Sequence, residues 1–212
     1  MAASAVLVAL PAPADDWQLV HEGDNLRVER RDYEGSELDE IRGVTRIRAS
    51  LNALMALLRD ARFNREWVYR SGGAKILRAD IYSQAYVYGI VDAPWPMQDR
   101  DTVVRFDYRQ DPVTGEILVT ITNFPDFIPE NADLIRVPRF GGYWKLTPAA
   151  DGWVEVTYQV YGDPGGWIPT WMANRAAQIS VQYTLQNMPV AVKHYASASS
   201  AFVREPHPPG DG

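Results

Sequence analysis

The sequence contains no cysteine, and this absence removes several kinds of chemistry at once. Disulfides, thiolate metal sites and cysteine nucleophiles are all excluded. Histidine is scarce as well, with His21, His194 and His207 the three in the chain. None of them falls on a predicted inward-facing strand position, so general acid–base catalysis lacks its commonest residue. We therefore expect no enzymatic activity and no metal site.

Positive charge is also in short supply, because 21 Lys and Arg face 27 Asp and Glu and the formal net charge is −6. No run of basic residues occurs, and binding to nucleic acid depends on clustered Lys and Arg. Neither a Gly-x-Ser-x-Gly motif nor a phosphate-binding loop is present. We therefore expect no nucleic-acid partner and no cofactor.

The two ends of the chain differ in composition from its centre. Residues 1–14 hold a short apolar run followed by Ala12-Pro13-Ala14, which has the form of a signal-peptidase site. We interpret residues 1–14 as the remnant of a signal peptide, which predicts a periplasmic or secreted protein. A disordered tail on a cytoplasmic protein is the alternative. Residues 204–212 are rich in Pro and Gly and predict a disordered tail. Residues 15–203 predict one domain, which we expect to be a monomer.

The longest candidate helix lies within residues 161–195. A turn at Asp163-Pro164-Gly165-Gly166 precedes it, and Pro169 suits the first turn of a helix. One apolar stripe at helical spacing consists of Ile168, Met172, Ile179 and Tyr183. A second stripe consists of Val181, Leu185, Met188 and Val192. A helix that is apolar over so much of its circumference is expected to cover a wide surface.

The rest of the chain predicts mainly strands. Short helices are predicted at residues 15–21, Leu51–Arg59 and 60–67, with Ser50 as the N-cap of the second. Strands are predicted at residues 25–33, 40–49, 81–91, 102–108, 115–123, 139–147 and 153–161. Half-buried strands joined by short turns are typical of an antiparallel meander. The predicted fold class is therefore α+β, a curved antiparallel sheet closed by one long C-terminal helix.

Residues 124–137 form a connection that is too long for a tight hairpin. The segment carries Phe124, Phe127 and Ile128 among prolines. Long loops with apolar tips are usually either functional or packed. We interpret this one as a mobile gate loop whose tip enters a membrane interface, and a packed flap is the alternative.

Three stretches resemble one family. PWPMQDRDTV at 94–103, IRVPRFGGYWKLTP at 135–148 and DPGGWIPTWMANRAA at 163–177 are similar to motifs of START domains, the steroidogenic-acute-regulatory-protein-related lipid transfer domains. Among their branches the chain looks nearest to the phosphatidylcholine-transfer one. The resemblance implies a helix-grip fold, in which a curved sheet and the C-terminal helix enclose a hydrophobic tunnel. It also implies that a single lipid is bound in the tunnel and is transferred or sensed, with the gate loop and the helix opening together.

The resemblance and the strand alternation together predict which residues contact the lipid. They are Val87, Val91, Thr102, Val104, Phe106, Ile121, Phe140, Trp144, Tyr158, Met172, Arg175, Ile179 and Tyr183. Arg175 either extends into solvent or meets an anionic group, such as a lipid head group. Thr102 and Val104 stand where the phosphatidylcholine carriers have aromatic residues, and Phe106 stands where the sterol carriers have a buried arginine. The predicted partner is thus a phospholipid, a sterol-like molecule or another hydrophobic molecule, with transient membrane contact.

Two other functions fit the same pattern. Polyketide cyclases and aromatases share the helix-grip fold, so the fold alone does not exclude an enzyme. A module that recruits a partner protein, with the ligand as a switch, would expose aromatic residues, for which Trp153 and Trp167 are candidates.

Overall fold

A computed structural model describes residues 16–23, 25–80 and 83–205. The predicted signal-peptide remnant at 1–14 and residues 206–212 of the predicted tail lie outside the described residues. The strands are β1 Gln18–Gly23, β2 Leu26–Asp32, β3 Asp39–Arg48, β4 Ser71–Asp80, β5 Gln84–Val91, β6 Arg100–Gln110, β7 Ile117–Asn123, β8 Ile135–Arg136, β9 Arg139–Pro148 and β10 Trp153–Asp163. The helices are α1 Leu51–Arg59, α2 Asn64–Trp67 and α3 Thr170–Ala191.

The strands form one curved sheet in the order β1-β2-β3-β10-β9-β7-β6-β5-β4. Every neighbouring pair along this path is antiparallel, and the two-residue β8 pairs with β6 in parallel. The sheet does not close into a barrel, and α3 packs against β2, β3 and β10. The predicted helix-grip fold is therefore confirmed.

The predicted helix at residues 15–21 is wrong. Asp15 lies outside the described residues, and Gln18–Gly23 is an edge strand paired with β2, with a register shift between Leu19 and His21. A segment this short carries only a weak periodic signal. Its pairing with β2 therefore decides its conformation. The predicted helix Leu51–Arg59 is confirmed, and the Ser50 side chain accepts a hydrogen bond from the Ala53 backbone N–H at 3.1 Å.

One apolar cluster contains the buried leucines of α1 together with Val181, Leu185 and Met188 of α3. The same cluster continues along the inner face of the sheet. Gly43 of β3 lets α3 approach closely, because an added Cβ would lie 2.7 Å from Val181 Cγ1. The C-terminal half of α3 is thus held on the sheet.

The last described residue, Glu205, contacts the first turn of α1. Glu205 accepts hydrogen bonds from the backbone N–H groups of Leu51 and Asn52, at 3.1 and 2.7 Å. These are donors that the first turn of a helix leaves without an intrahelical partner. The folded part of the chain therefore extends at least to Glu205.

Candidate functional site

A cavity of about 380 Å³ lies between the N-terminal half of α3 and the inner face of the sheet. Its wall comes from β5, β6, β7, β9 and β10 on one side and from α2 and α3 on the other. This volume falls within the range of small-molecule sites, about 300–1,000 Å³. The cavity is therefore large enough to hold a ligand.

Most of the residues predicted to contact a ligand lie in this wall. They are Val87, Val91, Thr102, Val104, Phe106, Ile121, Phe140, Trp144, Tyr158 and Met172. The strand residues among them come together because side chains on one face recur at every second position. The register supports this arrangement, since Val87 pairs with Val104 and Trp144 pairs with Tyr158.

Three predicted residues of α3 lie outside the wall. Arg175 is exposed, Ile179 is half-buried, and Tyr183 is 47% exposed and stacks on Tyr69 with ring centroids 5.4 Å apart. These three residues do not point into the cavity as predicted. Successive residues turn by about 100° around a helix, so the face that meets the cavity, offset by one residue, is rotated away from the predicted stripe. Met172 is common to both faces.

The residues of α3 that the sequence pattern missed are small. Ala173, Ala177, Ser180 and Thr184 face the cavity. Hydrophobic periodicity is read from large side chains, so a stripe of small and hydroxyl-bearing residues gives no signal. Small side chains on the covering helix leave room between helix and sheet. A run of small residues at spacings of three and four was the signal that could have found this face.

The floor of the cavity is aromatic. Trp144 and Tyr158 stack with ring centroids 3.7 Å apart and planes 7° apart, and Trp67 of α2 lies 6.0 Å from Trp144. Burial raises the pKa of Tyr158 far above its ordinary value. The phenol therefore stays neutral at physiological pH and presents an uncharged surface to the cavity.

The predicted gate loop at residues 124–137 packs elsewhere. Tyr86 lies between the inward-facing Ala85 and Val87 and so points to the outer face of the sheet. Phe127 stacks on Tyr86 with centroids 4.2 Å apart, and Phe124 meets the same ring edge-on. Phe124, Phe127 and Ile128 do not line the cavity. The apolar tip of the segment has the contacts of the packed flap, the alternative interpretation, while Val137 at its end lines the cavity.

A buried ion pair holds this flap to the sheet. Arg136 Nε donates to Asp101 Oδ1 at 2.8 Å and Arg136 Nη2 donates to Asp101 Oδ2 at 3.0 Å. Arg136 also donates to the backbone carbonyls of Pro125, Ile128 and Pro129. The hydrogen bonds that Arg136 donates to Asp101 raise the pKa of its guanidinium. A guanidinium that satisfies a carboxylate and three carbonyls fixes the loop in place.

Three exposed tryptophans are sequence neighbours of residues in the cavity wall. Trp95 and Trp167 are each 92% exposed, and Trp171 is 69% exposed. Each has a near neighbour in the cavity wall, namely Met97, Ile168 and Met172. We define Trp95, Trp167 and Trp171 as the tryptophan rim. It lies where the β5–β6 connection approaches the start of α3, and the sequence had indicated Trp167 alone.

Charged side chains in the wall are few. They are Asp39, Arg100 and Asp163. Burial raises the pKa of Asp39, although Arg30 lies 3.3 Å away and acts in the opposite direction. Burial lowers the pKa of Arg100. Asp163 accepts a hydrogen bond from the Gly165 backbone N–H at 2.9 Å. The wall as a whole is apolar, with its charges confined to a few positions.

Residues with catalytic or metal-binding potential are not gathered at the cavity. His21 lies on β1, and His194 lies after α3 with its ring 5.1 Å from Phe63. His207 falls outside the described residues. Within residues 16–23, 25–80 and 83–205, no three His, Asp or Glu side chains are placed to hold a metal ion. No helix in the described part of the chain is both long and apolar enough to span a membrane.

Comparisons with known proteins point in one direction. A crystal structure of a STAR-related lipid transfer protein from Xanthomonas axonopodis superposes with a TM-score of 0.79 at 36% sequence identity, covering 84% of this chain and 99% of that one. An uncharacterized protein of Pseudomonas aeruginosa is 36% identical over 174 residues, 82% of this chain and 85% of its own length. The phosphatidylcholine transfer protein of Rattus norvegicus is 25% identical over 185 residues, 85% of each chain. No family model matches the sequence.

Proposed function

Because the chain belongs to the family of STAR-related lipid transfer domains, we propose that it binds one lipid in the cavity under α3 and carries it between membranes. The observation that carries this proposal is the cavity itself, about 380 Å³ and walled mainly by aliphatic and aromatic side chains. Burial of apolar carbon stabilises a complex by about 0.8 kcal/mol per CH₂ group. A cavity of this kind holds an acyl chain or a ring system without needing many polar contacts.

The proposed role is non-catalytic. General acid–base chemistry requires a titratable group within hydrogen-bond reach of the substrate. The floor of the cavity offers instead the neutral Tyr158 phenol and the Trp144 ring, and neither His21 nor His194 lies in the wall. These features support a carrier over an enzyme of the polyketide cyclase or aromatase type.

The tryptophan rim supports transient contact with a membrane. Indole rings are amphipathic and favour the interface between lipid and water. Trp95, Trp167 and Trp171 are exposed next to residues of the cavity wall, where a lipid would enter or leave. The net charge of −6 opposes strong attraction to anionic membranes, so docking is weak and reversible. We assign membrane contact to this rim in place of the loop at residues 124–137.

A blocked cavity tests the proposed function. Ala173 faces the cavity from α3, and Val190 on the same helix is 65% exposed outside it. Ala173→Trp should abolish transfer of a pyrene-labelled phospholipid between vesicles, because the indole occupies the space of the ligand. Val190→Trp is the matched control and should transfer at the rate of the unaltered protein. Equal transfer by the two variants would show that the cavity does not carry the lipid.

A further inference from the structure

Arg100 is a buried cation in the wall of the cavity. It is the first residue of β6, pairs with Val91 and is 6% exposed. A neighbouring carboxylate would ordinarily pair with such an arginine. The neighbouring carboxylates are engaged elsewhere: Asp99 accepts from the Ala93 backbone N–H at 2.8 Å, and Asp101 pairs with Arg136.

The hydrogen-bonding capacity of Arg100 is mostly unused within the described residues. Its Nη1 donates to the Gln98 backbone carbonyl, and its Nε is buried without an acceptor. Burial lowers the pKa of the guanidinium, and the charge of Asp99 acts in the opposite direction. A buried charge without a paired counter-charge is costly. The guanidinium of Arg136, by contrast, makes two hydrogen bonds to the Asp101 carboxylate.

A second unpartnered donor belongs to the same wall. Trp67 is 3% exposed, lines the cavity, and its Nε1 is buried without an acceptor. The buried polar side-chain atoms of the described wall residues that have no partner, Arg100 Nε and Trp67 Nε1, are both donors. A ligand that complements this wall therefore brings oxygen acceptors to it.

We propose that Arg100 binds an anionic oxygen group, a phosphate or a carboxylate, of the amphiphile in the cavity. This inference rests on the proposed function and deepens it by naming the chemistry of the head group. The head group lies beside Arg100 between the β5–β6 connection and the start of α3, and the apolar chain extends toward the Trp144 and Tyr158 floor. A planar guanidinium suits both groups, because each offers two oxygens to its parallel N–H donors.

The test compares probes that differ only in the anionic group. The first pair is cis-parinaric acid and its methyl ester. The second pair is a pyrene-labelled phosphatidic acid and the matching diacylglycerol. A hydrogen bond to a charged group changes affinity by about ten- to hundredfold. The unaltered protein should bind at least one anionic probe about tenfold more tightly than its neutral counterpart, and the pair that shows the preference distinguishes carboxylate from phosphate.

Two arginine variants isolate the effect. Arg100→Met should bring the affinity for the anionic probe down to that for its neutral counterpart and leave the neutral probe unaffected. Arg175→Met is the matched control, since Arg175 is exposed on α3 outside the wall, and it should retain the preference. Arg100→Lys keeps the charge but loses the parallel N–H donors, so it should lower the preference several-fold, and it replaces the methionine variant if that variant fails to fold.

The outcomes separate this inference from the proposed function. If the unaltered protein binds neutral and anionic probes equally, or if Arg100→Met keeps the preference, the role of Arg100 is overturned and the lipid carrier stands. If the unaltered protein binds none of the four probes, both are overturned. Inorganic phosphate that binds to the protein at micromolar concentration without lipid would reassign Arg100 to the free ion and overturn the head-group site.

Discussion

Phe127 stacks face to face on Tyr86, with ring centroids 4.2 Å apart, on the side of the sheet opposite the cavity. This contact places the apolar tip of the 124–137 segment on the outer face of the sheet. The sheet separates that face from the cavity, so the Phe127 side chain does not reach the cavity. We therefore expect Phe127 to contribute to the stability of the fold and not to lipid transfer.

We expect Phe127→Asp to leave lipid transfer unchanged. The substitution loses the ring contact and places a carboxylate on Tyr86, which should lower the free energy of unfolding by about 1–2 kcal/mol. Urea denaturation measures the stability and a vesicle assay measures the transfer rate. A variant of full stability that exchanged lipid several-fold more slowly would restore this loop as the gate.

Trp95→Asp is expected to have the opposite effect. The ring is 92% exposed in the free protein, so its loss should leave the melting temperature within about 2 °C of the original, as for other surface substitutions. Transfer should slow several-fold, because the rim loses an anchor at the membrane interface. Val113→Asp is the matched control, since Val113 is 90% exposed in the β6–β7 turn. Equal slowing by both variants would mean that added charge, rather than the rim, is responsible.

Trp144→Ala tests the aromatic floor. Trp144 is 5% exposed and packs between Tyr158 and Trp67. Its removal should lower the free energy of unfolding by about 3–5 kcal/mol, through lost burial and a new void. Urea unfolding measures this loss, and Trp153→Ala, at a ring that is 40% exposed, should cost much less. A loss under 1 kcal/mol at Trp144 would show that the floor is not part of the stabilising core.

The ionisation of Glu29 makes the stability of the fold depend on pH. Burial raises the pKa of this carboxyl, but hydrogen bonds from Arg42 at 2.8 Å and Arg27 at 2.8 Å outweigh that effect and lower the pKa below its ordinary value of 4.5. A carboxyl with a lowered pKa in the folded state stabilises the protein above pH 4.5, and this stabilisation is lost as the pH falls through the folded-state pKa.

We therefore expect Glu29→Gln to be less stable than the unaltered protein at pH 7. The difference between the two should shrink steadily as the pH falls below about 4.5. Thermal unfolding at several pH values measures it. A difference that stayed constant down to pH 3 would show that the Glu29 charge adds nothing to stability.

Most of the longer strands were predictable because their side chains alternate, although β1 and β4 were not predicted. In β3, Ile41, Gly43, Thr45 and Ile47 share the buried face, as the period of two requires. The Ser50 cap was predictable for a similar local reason, since one side-chain oxygen satisfies one backbone N–H. These features depend on neighbours within a few residues of each other.

The orientation of α3 was not predictable from its large side chains. Val181 and Leu185 mark the face that packs on the core, but the face toward the cavity is marked by Ala173, Ala177 and Ser180. Small side chains leave the space for a cavity, and hydrophobic periodicity, which depends on large apolar side chains, does not detect them. Arg100 was missed as well, because the pairing of its neighbour Asp101 with Arg136 joins residues 35 positions apart.

The position of the 124–137 segment was also set by distant residues. Prolines and exposed apolar side chains indicated a loop of some importance, but its place depends on the pairing of Arg136 with Asp101, 35 positions away. A long loop with an apolar tip favoured a gate in the sequence, with a flap as the alternative. The structure places that tip against Tyr86 on the outer face of the sheet.

Native mass spectrometry of the protein purified from its own source, with extraction and identification of the bound lipid, is the decisive measurement of whether the cavity holds a lipid. We expect one amphiphile per chain, with a phosphate or carboxylate head group, present in the unaltered protein and absent from Ala173→Trp. Repeated purification without any bound hydrophobic molecule, together with no uptake of fluorescent lipid, would show that the protein is not a lipid carrier.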